Sequence, residues 1–156
     1  MEYFEIAGIA QSSDDFRRVR WSGQHTQLAV MTIPQGGEIG LETHEHDDRI
    51  LQFLSGVGEA FVGGRTRSVM HGDLVIVPAG IEHNQSPELA GAPPSTLGRV
   101  LRAVSSGPDP ANTGPNPLVL TTIDGPPDHA DGVVHRTKEE ADAAEAAGED
   151  ERPAAG

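Results

Sequence analysis

Glycine and proline together make up about a fifth of this chain, 19 and 12 of 156 residues, and that density limits what it can fold into. Helix interiors tolerate neither residue well. Short strands joined by tight turns accept both, because glycine supplies positive φ and proline presets the turn. The apolar runs between these breaks are correspondingly short: 27–34 (QLAVMTIP), 50–54 (ILQFL), 74–77 (LVIV) and 117–123 (PLVLTTI). Each reads as a strand bounded by turn residues. Gly63-Gly64 lies between 59–62 and 65–69 and predicts a hairpin. Residues 2–9 (EYFEIAGI) read as a first strand at the sheet edge. Roughly eight to ten short strands indicate an all-β barrel or sandwich. Only 4% of residues are Phe, Trp or Tyr, so its core must be built from Val, Leu and Ile.

The remaining features bound the function. The formal net charge is −13, a sign that repels phosphate backbones and argues against nucleic-acid partners. Residues 124–156 hold 10 acidic and 3 basic residues. There is no cysteine, so disulfides and thiolate metal sites are excluded. No apolar run approaches the ~20 residues of a membrane span, and the N-terminus lacks the basic start and apolar core of a signal peptide. A cytoplasmic protein is expected. Residues 87–116 hold six prolines and only one apolar piece, 97–104 (LGRVLRAV), which reads as a strand or a short helix. Residues 137–147 (TKEEADAAEAA) have high helix propensity with little to bury, and 148–156 read as disordered.

Residues 38–46 (EIGLETHEH) carry the chemistry. In a strand, Glu42 and His44 share one face, with His46 at the same parity near the strand's end. His83 follows a Pro-Ala-Gly turn at the start of a distant strand. Brought together, Glu42, His44 and His83 offer a carboxylate and two imidazoles, a set that suits Fe(II) and also Mn, Ni or Zn. Arg49 stays protonated and cannot ligate a cation. Either it pairs with Glu42 in a metal-free pocket, or metal binds through Glu42, His44 and His83, helped by His46. In the second case Arg49 turns aside or clamps an anionic substrate. His25, His71, His129 and His135 read as non-catalytic.

These motifs resemble those of the cupin superfamily. Its first motif is a glycine, five residues, His-x-His, three or four residues, Glu, six residues, glycine. Here Gly36, Glu42-Thr43-His44, Arg49 and Gly56 keep the spacing and change two functional positions. Gly72, Pro78, Gly80 and His83 keep the spacing of the second motif, whose final Asn position is Pro87. The chain is also similar to a subgroup of small bacterial cupins, through Gly40-Leu41-Glu42-Thr43-His44 and through Pro126-Pro127-Asp128-His129 followed by Asp131 to Lys138. In that alignment Asn112 supplies the missing Asn and about 87–111 is an insertion. The resemblance implies a double-stranded β-helix, a jelly-roll barrel over residues 1–136, with a short C-terminal helix and disordered acidic tail over 137–156. It also implies a homodimer.

The function expected on these grounds is binding of a small polar metabolite, with a divalent metal (Zn, Mn, Fe or Ni) or none. A sugar or sugar-phosphate isomerase or epimerase is the leading reading, with Glu42, His44 and His83 catalytic and Arg49 binding substrate. The alternatives are a non-catalytic regulatory module that binds a small molecule, and an Fe(II)-dependent oxygenase.

Overall fold

The computed structural model of the chain describes residues 1–40, 44, 46–63, 65–81, 110–112 and 116–150. Its elements are α1 (Ile6–Ser12), β1 (Arg17–Ser22), β2 (Gln27–Ile33), β3 (Asp48–Ser55), β4 (Val57–Val62), β5 (Arg65–Met70), β6 (Leu74–Val77), β7 (Pro110–Asn112), β8 (Leu118–Gly125), β9 (Val134–His135) and α2 (Lys138–Ala147). Six strands form an antiparallel sheet in the order β6-β3-β8-β2-β1-β9, and β5-β4-β7 form a second. Buried Met31, Ile33, Leu51, Phe53, Ala60, Val69, Leu118 and Leu120 make one core, joined by Phe16 and Ala141.

The expected all-β, closed jelly-roll barrel is therefore corrected. Among the described residues the two sheets stay open: the larger ends at β6 and β9, the smaller at β5 and β7. The two helices among the described residues make the architecture mixed. Strand alternation reports which side chains share a face, not which edges pair, so closure is not legible in it. The N-terminal segment read as a strand over 2–9 is helical from Ile6 onward. Its apolar pairs are too short to separate the two periods, and the Glu5 side chain accepts the Gly8 N–H at 2.9 Å, capping α1.

The other apolar runs sit in strands, with β4 and β5 the hairpin around Gly63. The run at 38–46 does not form a strand in its described part. Glu38 makes an isolated bridge, and residues 44, 46 and 47 carry no strand. β1 went unread because its three arginines hide a buried strand, in which Val19 and Arg17 are 6% and 1% exposed. The expected insertion at 87–111 lies outside the described residues except for its last two, which fall in β7.

α2 is where the helix-rich run predicts a helix. Thr137 Oγ1 accepts the Glu140 N–H at 3.3 Å, and Glu140 Oε2 accepts the Arg136 N–H at 2.7 Å. These two bonds satisfy donors at the helix start reciprocally. Gly148, at φ 67°, ends the helix in the left-handed region. The chain then turns back onto the sheet and buries Asp150 to 2% exposure. Gly148 and Glu149 stay exposed and Asp150 alone is packed, a fixed position inside the stretch expected to be disordered from 148 onward.

Gly56 joins β3 to β4 at φ +82°, with its α-carbon against Pro117 and Leu118 at the start of β8. An added Cβ would meet the Pro117 carbonyl oxygen and lie 2.8 Å from the Leu118 Cα, both backbone atoms. Gly56→Ala should cost at least about 2 kcal/mol of stability, read from urea unfolding; a midpoint equal to wild type would contradict this packing.

Candidate metal centre

The ends of three neighbouring strands bring the site together. β3 and β8 run antiparallel with Arg49 directly opposite Asp124, and β6 pairs β3 with Val77 opposite Arg49. The start of β3, the end of β8 and the turn after β6 therefore meet at one end of the sheet. Arg49 and Asp124 are 2% and 0% exposed. The arginine donates from Nε to Asp124 Oδ1 at 2.6 Å, while Thr122 Oγ1 donates to Asp124 Oδ2 at 3.1 Å. Register alone aligns these opposite charges, and their burial makes the pairing obligatory.

The guanidinium has a second carboxylate. Arg49 Nη2 lies 3.3 Å from Oδ2 of Asp128, in the loop after β8. That same oxygen is 3.4 Å from His44 Nδ1, and His44 Nδ1 is 3.8 Å from Asp47 Oδ2. One donor atom from each of His44, Asp47 and Asp128 falls within 4.8 Å of the others. His44 and Asp47, ahead of β3, and Asp128, in the loop after β8, thus place one imidazole and two carboxylates together, all partly buried. Such a set could coordinate a divalent metal.

Electrostatics favour a cation there. Asp47, Asp124 and Asp128 set three carboxylates around one guanidinium, so with His44 neutral the group carries a formal excess of two negative charges. Burial, followed by the charge of Asp128, pushes the Asp47 carboxyl above the usual carboxylate range, and the opposing pull of His44 does not cancel this. A divalent ion would relieve both effects. The donor chemistry fits the group that the sequence suggested.

The expected site residues meet this geometry unevenly. His44 is in the cluster. His46 is exposed at a bend. Arg49 holds Asp124 and Asp128. Glu42 and His83 lie outside the described residues. The chain on the way to His83 is described as far as Ile81: Gly80 donates its N–H to the His44 carbonyl at 3.2 Å, and Ala79 donates to Asp48 Oδ1 at 2.8 Å. Asp47 and Asp128 were missed. Asp47 reads as part of a polar turn, His46-Asp47-Asp48. Asp128 stands in the Pro-Pro-Asp-His run directly after a strand end, which was the available signal.

A second branch of ion pairs leads away from Asp128. His129 Nε2 is 3.8 Å from Asp128 Oδ2, and its Nδ1 is 3.1 Å from Asp150 Oδ2. Arg17 Nη1 reaches Asp150 Oδ2 at 3.0 Å and Glu145 Oε1 at 2.7 Å. Burial alone would raise the Asp150 carboxyl, but the hydrogen bond and charge of His129, then the charges of Arg17 and His135, outweigh it and hold it below the usual range.

Residues 29–86 match the Cupin_2 family, described as a Cupin domain. The uncharacterized protein YrkC of Bacillus subtilis is 32% identical over 146 residues, which are 90% of this chain and 65% of that protein's length. The crystal structure of BH2720 from Bacillus halodurans superposes with a TM-score of 0.71 at 29% identity, covering 91% of this chain and 93% of the other. A Klebsiella pneumoniae protein with a double-stranded β-helix domain shares the fold at a TM-score of 0.56 and 18% identity, covering 81% and 90%. Among the described residues no helix is long and apolar enough to cross a membrane.

Two substitutions test these pairings. Arg49→Gln should cost about 3–5 kcal/mol, because it strands the buried Asp124 carboxylate; an unchanged urea midpoint would contradict the pair. Asp150 has a lowered folded-state pKa, so the unfolded chain binds more protons between the two values. Its stabilisation is therefore full above the unfolded value and is lost as pH falls through the folded one. The stability gap between wild type and Asp150→Asn, about 2–3 kcal/mol at neutral pH, should close on acidification; a gap independent of pH would refute the ion-pair assignment.

Proposed function

We propose that this chain, whose residues 29–86 match the cupin domain family, binds a divalent metal at His44, Asp47 and Asp128 and uses it to act on a small polar metabolite, as an isomerase or epimerase does. The observation that carries this reading is the convergence of three donor atoms within 4.8 Å in a group two charges too negative. Bound there, the ion supplies Lewis acidity to a carbonyl or hydroxyl oxygen of the substrate.

The chain's own residues do the rest. Arg49 neutralises Asp124 and holds Asp128 toward His44. Glu42, two residues before His44, is the candidate acid/base group that moves a proton next to the carbonyl. His83 is a further donor in this reading. Its support is the Gly80–His44 backbone bond, since three residues of chain span at most about 11 Å. Asp128, 29% exposed on its side chain, leaves an approach for substrate.

The test is calorimetric titration of Mn²⁺ into the chelator-treated full chain. Wild type should bind one equivalent, and His44→Ala and Asp128→Asn should each weaken binding by at least about tenfold, no less than loss of an outer hydrogen-bond partner costs. Affinity should also fall as pH is lowered, since the raised Asp47 carboxyl must ionise to hold the ion. Wild-type affinity in both variants would overturn the site. His83→Ala should abolish turnover of any substrate found while leaving the fold intact; retained turnover would remove His83 from the mechanism.

A further inference from the structure

The peptide that carries Asp128 is fastened on two sides by groups outside the proposed donor set. On one side stands Gln27, buried on β2. It donates from Nε2 to the His129 carbonyl at 2.7 Å and accepts the His129 N–H at 3.0 Å. On the other stands Asp150, two residues past the Gly148 cap of α2. Its carbonyl accepts the Ala130 N–H at 2.7 Å, and its carboxylate takes the His129 ring at 3.1 Å. The His129 imidazole is 7% exposed and stands between two carboxylates, Asp150 on Nδ1 and Asp128 on Nε2. Arg17 secures Asp150 from beneath and ties it to Glu145 on α2.

We infer that Asp150 and His129 are positioning residues for the metal centre: Asp150, docked past the end of α2, fixes the His129 ring and the 128–130 backbone, and so sets where the Asp128 carboxylate stands and how tightly the ion is held. The inference rests on the metal reading above. Its physical basis is that Asp128 starts from a loop and is the most exposed of the three donors. A carboxylate so placed loses rotamer freedom on binding an ion unless its neighbours have already ordered it. Hydrogen-bond partners that orient ligands in this way are worth 10–100-fold in affinity at metal sites generally. The last turn of α2 lies about 100 residues of chain from His44, so metal affinity becomes a report on whether the C-terminal end is docked.

A purely structural role for Asp150 is separable from this one. Glu145→Gln removes another anchor of Arg17, loosening the same helix without touching residues 128–130. The experiment uses the full chain, with Mn²⁺ affinity from calorimetry and the visible absorption of the Co²⁺ form. Asp150→Ala should raise the Mn²⁺ dissociation constant about tenfold and shift the Co²⁺ bands, while Glu145→Gln keeps wild-type affinity and bands. Asp150→Asn, which preserves volume and an acceptor, should fall between wild type and Asp150→Ala, and it carries the test if Asp150→Ala does not fold. Unchanged affinity and bands in both Asp150 variants would overturn the inference and leave the metal site standing. Equal weakening by Glu145→Gln would also overturn it, reducing the effect to general loosening. Failure of the wild-type chain to bind Mn²⁺ or Co²⁺ would instead remove the metal reading and this inference with it.

Discussion

The buried pair of Arg49 and Asp124 is the constraint on which the rest of the site depends. Both residues are almost fully enclosed, and they face each other because β3 and β8 pair in one register. A one-residue slip would turn every side chain of β3 to the opposite face and strand two charges in the core. The pair therefore ties the hydrophobic register to the polar end of the sheet. It also makes a cation-binding site possible beside an arginine. Asp124 absorbs much of the guanidinium's charge, and Asp128 and Asp47 remain to attract a metal.

From that pair the structure extends in two directions. Toward solvent, Asp128, His44 and Asp47 form the donor cluster, with the turn at 78–80 closed onto His44 by a backbone hydrogen bond. Toward the core, His129 and Asp150 carry ion pairs to Arg17 and Glu145. Asp128 Oδ2 belongs to both. Residues from the start, middle and end of the chain therefore share one electrostatic network, whose buried members, Arg49 with Asp124 and Arg17 with Asp150, are each paired with an opposite charge.

Much of the sheet was legible in the sequence, since apolar runs between glycine and proline breaks are a physical signal of short strands. The runs that became β2, β3, β6 and β8 are of this kind. β1 was hidden because burial of Arg17 depends on Glu145 and Asp150, more than 120 residues away, and no local pattern reports a distant counter-ion. Openness of the sheets was hidden for the same reason, being a property of edges. His44, singled out from its spacing, lies in the cluster with Asp47 and Asp128. Asp47 looked like part of a solvated turn, and Asp128 looked like a family signature without a role. Arg49 was recognised as incompatible with direct metal ligation, but its partners could be named only once β3 was laid against β8.

Whether His44, Asp47 and Asp128 share a divalent cation is decided by anomalous diffraction from a crystal of the full chain grown with Mn²⁺. A single strong peak is expected at coordination distance, about 2.0–2.3 Å, from a His44 ring nitrogen and from carboxylate oxygens of Asp47 and Asp128. A crystal whose Mn²⁺ peak lies elsewhere, or that shows none at saturating metal, would contradict it.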